Sequence, residues 1–163
     1  MKNISAKYIG IITGIVMVIV SLFMFYQLHL PDTGTVKYIC YFIYTVGIIF
    51  CLLNFKNKNS NNTFAQYFAE GFKTFVVVSL IMAIFTFVFY KINPQIFEKI
   101  LLEINKFNAT DVNKTQAEVL ENGNKLRDIF VPMTVATNTI MYMVLGAIIT
   151  VIGGGFLSKK KYK

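Results

Sequence analysis

The chain has 163 residues, 55% hydrophobic and 15% charged, with a mean hydropathy of +0.57. A soluble domain carries about a quarter charged residues, so the composition excludes an ordinary soluble globule and points to an integral membrane protein. Sixteen Lys and Arg against eight Asp and Glu give a net charge of +8, but the excess sits at segment ends rather than in a patch on a folded domain, which excludes nucleic acid as a partner.

Crossing a bilayer as a helix takes about 20 apolar residues. The first such run is 8–28. Lys2 and Lys7 precede it as they would a signal peptide, but the run is long and Phe25 to Pro31 offers no small-residue cleavage site, so an uncleaved first span is expected. It carries Gly10 and Gly14, a GxxxG spacing that lets helix backbones approach closely. His29-Leu30-Pro31 ends it, and Asp32-Thr33-Gly34 reads as a turn. The second span is 36–53. Its tyrosines Tyr38, Tyr41 and Tyr44 are expected toward one membrane interface. Cys40 and Cys51 are eleven residues apart on one helix, about 16 Å, too far for a disulfide. They read as small buried hydrophobes.

An Asn-rich connector follows. Thr63-Phe-Ala-Gln66 then fits a capping box, which starts the third helix at Phe64 and carries it through 64–90. The stretch 74–89 is free of charge, yet Gln66, Glu70 and Lys73 stand just before it. Two readings apply. Glu70 and Lys73 are i,i+3 neighbours within the first turns and can pair at the headgroup level. Alternatively Gln66, Glu70 and Lys73 face the interior as a functional polar cluster, the default for ionisable groups in a span.

The chain leaves the membrane at Asn93-Pro94. An insert over 94–131 follows. In it Ile96, Phe97, Ile100, Leu101, Ile104 and Phe107 fall on one helical face, opposite Glu98, Lys99, Glu103 and Lys106. This amphipathic helix lies in the membrane interface or caps the bundle, and its neutral charge favours capping. A second helix is expected over 112–120, a turn at Asn122-Gly123-Asn124, and a short third helix over 125–130 stopped by Pro132. The fourth span is 134–157. Thr134, Asn138, Tyr142, Gly146, Thr150 and Gly154 recur at every fourth residue, a small and polar stripe suited to close helix packing. Gly153-Gly154-Gly155 reads as a flexible point near its end. Residues 158–163 form a basic tail.

The ends and loops alternate in charge. The N-terminus, the second loop and the tail are basic, whereas the first loop and the insert are neutral. Lys- and Arg-rich short loops stay cytoplasmic, so four spans with both termini in the cytoplasm satisfy every segment. The expected fold is all-α, a polytopic four-helix membrane bundle with an amphipathic helical insert between spans three and four.

Four spans, TFAQYFAEGFKT opening the third, the YKINPQIFEKIL exit, a polar helical insert and a Gly-rich last span ending in lysines together resemble the DUF4199 family. The resemblance covers nearly the whole chain. It implies a small integral protein of the bacterial inner membrane, of the kind found in Bacteroidetes, and supplies no activity, catalytic residue or cofactor. From the residues themselves, no catalytic, cofactor or metal site is proposed. With one His and no CxxC there is no ligand set. The partners expected are the lipid bilayer and either a membrane protein or a second copy of the chain. Three functions compete. One is a non-enzymatic accessory or assembly subunit, with Gly10, Gly14, Asn138, Gly146, Thr150 and Gly154 as packing residues. Another is a small-molecule or ion carrier using Gln66, Glu70, Lys73 and Asn138. The last is an enzyme of lipid-linked substrates, for which one Glu is a thin endowment.

Overall fold

A computed structural model describes residues 4–27, 35–57, 62–109 and 116–158. All regular structure in them is helical: α1 (Ala6–Tyr26), α2 (Thr35–Lys56), α3 (Phe64–Ile92), α4 (Pro94–Ala109) and α5 (Gln116–Leu157). Four helices are long and apolar enough to cross a membrane: α1, α2, α3 and the part of α5 from Gly123 onward. The chain is an all-α, multi-pass membrane protein. The break at His29–Pro31, the turn at 32–34 and the lysine tail from 159 lie outside the described residues. The chain divides into two units, residues 1–82 with 139–163, and residues 83–138.

In the first unit the pairings fix the sense of each helix. α1 and α2 run antiparallel, with Ile4 against Asn54, Thr13 against Gly47, and Ser21 against Cys40. α1 and α3 run parallel. Gly10 lies on the Thr74 carbonyl and Val77, and Gly14 lies on Ile81. α3 and α5 run antiparallel in a regular register: Tyr67 meets Gly154, Gly71 meets Thr150, and Phe75 meets Gly146. Steps of four residues on both helices place these contacts on one ridge of each. A glycine stands on one side of each crossing, so the backbones approach closely. In lipid this matters more than in water, because helices associate there mainly through packing.

The centre of this unit is filled by Met17, Tyr44, Ile48, Leu52, Tyr67 and Val78, each at most 2% exposed. Tyr44 was expected at an interface with Tyr38 and Tyr41. Only Tyr38 is exposed, at 74%, and Tyr44 is fully buried. The reason is a partner for its hydroxyl, which donates to the Tyr142 carbonyl on α5 at 2.6 Å. Gly146, one turn beyond Tyr142, has no side chain to block that approach, and a Cβ there would collide with the hydroxyl.

The second unit is built on the α3–α4 corner. Asn93 is the single non-helical residue between the two helices. Its backbone N–H and its Nδ2 both donate to the Phe89 carbonyl, at 3.0 and 2.9 Å, closing α3. Its own carbonyl accepts from Ile96 and opens α4. Pro94 occupies the first helical position, where a missing N–H costs nothing. The amphipathic face of α4 then packs on protein. Phe97 and Leu101 are buried, and Phe97 stacks on Phe130 at 4.6 Å between ring centroids, with Tyr90 on the same ring at 5.4 Å. Arg127 bonds Glu98 at 2.8 Å across the exposed rim.

α5 corrects the reading of the insert. The residues from 116 through the fourth span form one helix of 42 residues, twice what a crossing needs, with Pro132 inside it. The expected turn at Asn122-Gly123-Asn124 is helical, bridged by the Glu121–Lys125 pair at 2.7 Å. Gly inside a helix costs about 1 kcal/mol relative to Ala, which neighbouring turns offset. Pro132 deletes a single backbone hydrogen bond, and its ring lies on the exposed side. The expected helix over 112–120 falls partly outside the described residues, and from Gln116 it is the first turn of α5. Nor is Gly153-Gly154-Gly155 a flexible point. It is helical, with Gly153 against Leu52, Gly154 against Tyr67, and Gly155 facing open space.

Two substitutions separate packing from flexibility. Gly146→Leu places atoms where Tyr44 and Phe75 stand and is expected to cost about 2 kcal/mol or more, with loss of monodisperse protein. Gly155→Ala is expected to leave stability unchanged or raise it by up to about 1 kcal/mol. Thermal unfolding of the detergent-solubilised protein measures both.

Candidate functional site

The polar residues at the start of α3 are set by how that helix begins. Thr63 precedes it, and its backbone N–H donates to Gln66 Oε1 at 2.8 Å, while its carbonyl accepts from the Gln66 and Tyr67 N–H groups at 3.1 Å. This is the Gln half of a capping box. Gln66 is thereby committed to the cap.

Glu70 and Lys73 are brought together. Lys73 Nζ donates to Glu70 Oε1 at 2.7 Å, the lysine side chain 47% exposed and the carboxylate 20%. The lysine points outward, as expected for a chain that reaches for water from a span end. The pair stands over a knot of buried groups absent from the sequence reading. Thr74 Oγ1 lies 3.2 Å from the Ala6 carbonyl, 3.1 Å from the Glu70 carbonyl and 3.0 Å from Cys51 Sγ. One hydroxyl thus ties α1, α2 and α3 at the level of Glu70. Cys51 is buried and outside any disulfide, as is Cys40, whose sulfur lies 3.2 Å from Ser21 Oγ. Thr74 could have been suspected from its place four residues after Glu70. Nothing in sequence spacing pairs it with Ala6 and Cys51.

The small residues singled out on α1 and α5 divide differently. Gly10 and Gly14 are spent on α3, and Gly146, Thr150 and Gly154 on α3 and α2. Asn138 falls in the second unit and is half-exposed. The α3 residue that completes the seam, Gly71, was missed. Its signal was present, since Tyr67, Gly71 and Phe75 repeat the four-residue step of the α5 stripe. At that crossing Thr150 is fully buried, and its Oγ1 has no hydrogen-bond partner among the described residues.

Chemically, the arrangement provides one carboxylate paired with a lysine near the start of α3 and a set of hydroxyl and thiol groups engaged in helix contacts. No group of three or more His, Cys, Asp or Glu that could hold a metal ion occurs among the described residues.

The Glu70–Lys73 pair is expected to be weak and Thr74 strong. In a double-mutant cycle with Glu70→Gln and Lys73→Gln, the coupling should stay below about 1 kcal/mol. Thr74→Val should cost about 1–2 kcal/mol by stripping hydrogen bonds at a three-helix contact. Thr150→Val should instead gain about 1 kcal/mol, because it removes a buried hydroxyl without a partner while preserving shape. Unfolding of the purified protein under one set of conditions compares all three.

Comparison with curated proteins and with solved structures finds no match. A family model described as "Protein of unknown function (DUF4199)" matches residues 8–159, nearly the full length. The chain, with its four apolar helices and its α3–α4 corner, belongs to the DUF4199 family.

Proposed function

We propose that this protein is a non-enzymatic accessory or assembly subunit of a bacterial inner-membrane system, with both termini in the cytoplasm. The carrying observation is the filled interior of the first unit. Tyr44, Ile48, Leu52, Tyr67, Met17 and Val78 occupy its axis, and Gly10, Gly47, Gly71 and Gly146 each meet a neighbour where a Cβ would stand. A core closed this tightly serves as a scaffold. A carrier needs a polar path at mid-depth, whereas the hydroxyls of Thr45, Thr74 and Ser79 bond back to helix carbonyls. The orientation is supported by the alternation of basic and neutral loops.

With the small residues turned inward, a partner must read the outer ridges. On α5, Ile140, Val144, Ile148 and Ile152 repeat at every fourth position, each about half exposed or more. Affinity purification from native membranes, with quantitative mass spectrometry, tests the reading. A stoichiometric membrane protein is expected to co-purify with the wild type and with Glu70→Gln, and to be lost from Val144→Trp/Ile148→Trp at unchanged expression. A chain that purifies alone, with a cellular phenotype abolished by Glu70→Gln at unchanged folded yield, overturns the subunit reading in favour of binding or transport at the α3 polar turn.

A further inference from the structure

α2 and α5 run side by side in the same sense, as Tyr44 against Gly146 and Leu52 against Gly153 require. Between them an open groove of about 410 Å³ is lined by Thr45, Ile49, Leu53, Ile149, Ile152 and Phe156, among others. Its hydroxyl, on Thr45, donates to the Tyr41 carbonyl of its own helix at 2.7 Å, so the groove presents carbon to any occupant. The volume falls within the range of about 300–1,000 Å³ typical of small-molecule sites.

Its position in the membrane is defined by the same residues. Thr45 marks the deep end. Toward the other end Leu52 and Leu53 line the wall, and Lys56 follows them at i+4 and i+3, on the same helical face. Lys56 is exposed and lies in the last turn of α2. From Thr45 to Lys56 the helix rises about 16 Å, half of the roughly 30 Å hydrocarbon thickness. The groove therefore has the depth of one leaflet, is apolar along its length, and ends beside a cation. A partner helix that crosses the bilayer would need a seam of about twice this length. One acyl chain beneath an anionic headgroup matches both the length and the charge.

We infer that the α2/α5 groove is a site for an anionic diacyl glycerophospholipid, with one acyl chain between Thr45 and Phe156 and the phosphate at Lys56. The site shares only Ile152 with the α5 outer ridge, whose other residues, Ile140, Val144 and Ile148, do not line the groove.

The test uses the full-length protein in nanodiscs doped with a phospholipid carrying a photoreactive acyl chain, either phosphatidylglycerol or phosphatidylcholine, with labelled residues mapped by mass spectrometry. Phosphatidylglycerol is expected to label groove residues such as Ile49, Ile149 and Phe156 about fivefold more than phosphatidylcholine does, the preference one lysine near an anionic surface supplies. Lys56→Gln, a surface change that leaves the core untouched, should remove that preference. Ile49→Trp, which fills the groove from its exposed edge, should lower labelling by both lipids. Equal labelling by the two lipids, or a preference unchanged by Lys56→Gln, would show ordinary boundary lipid and overturn the site. Absence of groove labelling together with a photocrosslinked dimer through α2 or α5 would assign the groove to a second copy and overturn it as well.

Discussion

The packing of the first unit depends on the absence of one side chain. At Gly146 the backbone of α5 is bare, so the Tyr44 hydroxyl reaches the Tyr142 carbonyl while Phe75 covers the same spot from α3. Three helices meet at that point. A buried tyrosine hydroxyl needs an acceptor, and a helix carbonyl already bonded within its helix still offers a second lone pair. Only a residue without a Cβ exposes that lone pair to a neighbouring helix. Around this contact the α3/α5 register is set, and with it the positions of Gly71, Thr150, Tyr67 and Gly154.

The same logic explains how much could be read from the sequence. The number of spans, the start of α3 at Phe64 and the corner at Asn93-Pro94 rest on local rules: apolar length, capping chemistry, proline at a helix start. Those rules act within a few residues and survive folding. The four-residue stripe on α5 was visible for the same reason. Its complement on α3 was not weighed, because Tyr67, Gly71 and Phe75 mix large and small residues and look unlike a stripe until the partner helix is beside them. Tyr44 was placed at an interface by an average preference of tyrosine, and a specific acceptor on another helix overrode it.

The insert shows the opposite failure. Asn122-Gly123-Asn124 and Pro132 are strong turn and stop signals in isolation, yet α5 passes through both. Each breaker costs a bounded amount, about 1 kcal/mol for Gly and about 3 for an interior Pro. Packing of the flanking turns offsets that cost. On its flank the Glu121–Lys125 pair spans the Asn-Gly-Asn step, and Phe130 anchors the approach to Pro132 against Phe97 and Tyr90. Local propensity lost to aromatic packing that no window of this sequence contains.

What remains for function is decided by where polarity survives. In the body of the first unit, the hydroxyls of Thr45, Thr74 and Ser79 bond to helix carbonyls, Thr150 keeps a buried hydroxyl without a partner among the described residues, and Gly10, Gly47, Gly71 and Gly146 are met by neighbours. At one end the situation changes. Ala6 and Thr74 meet Cys51, Glu70 pairs with Lys73, Lys56 stands in the last turn of α2, and α5 finishes at Leu157 just before the lysine tail. These features belong to four different helices, and the helix directions bring them to the same edge of the bilayer. That end carries Lys56, Glu70 and Lys73, whereas Lys37 stands at the opposite end of α2. On the proposed reading, a partner is met at that end or along the outer ridges, because the interior is already committed to holding the helices together.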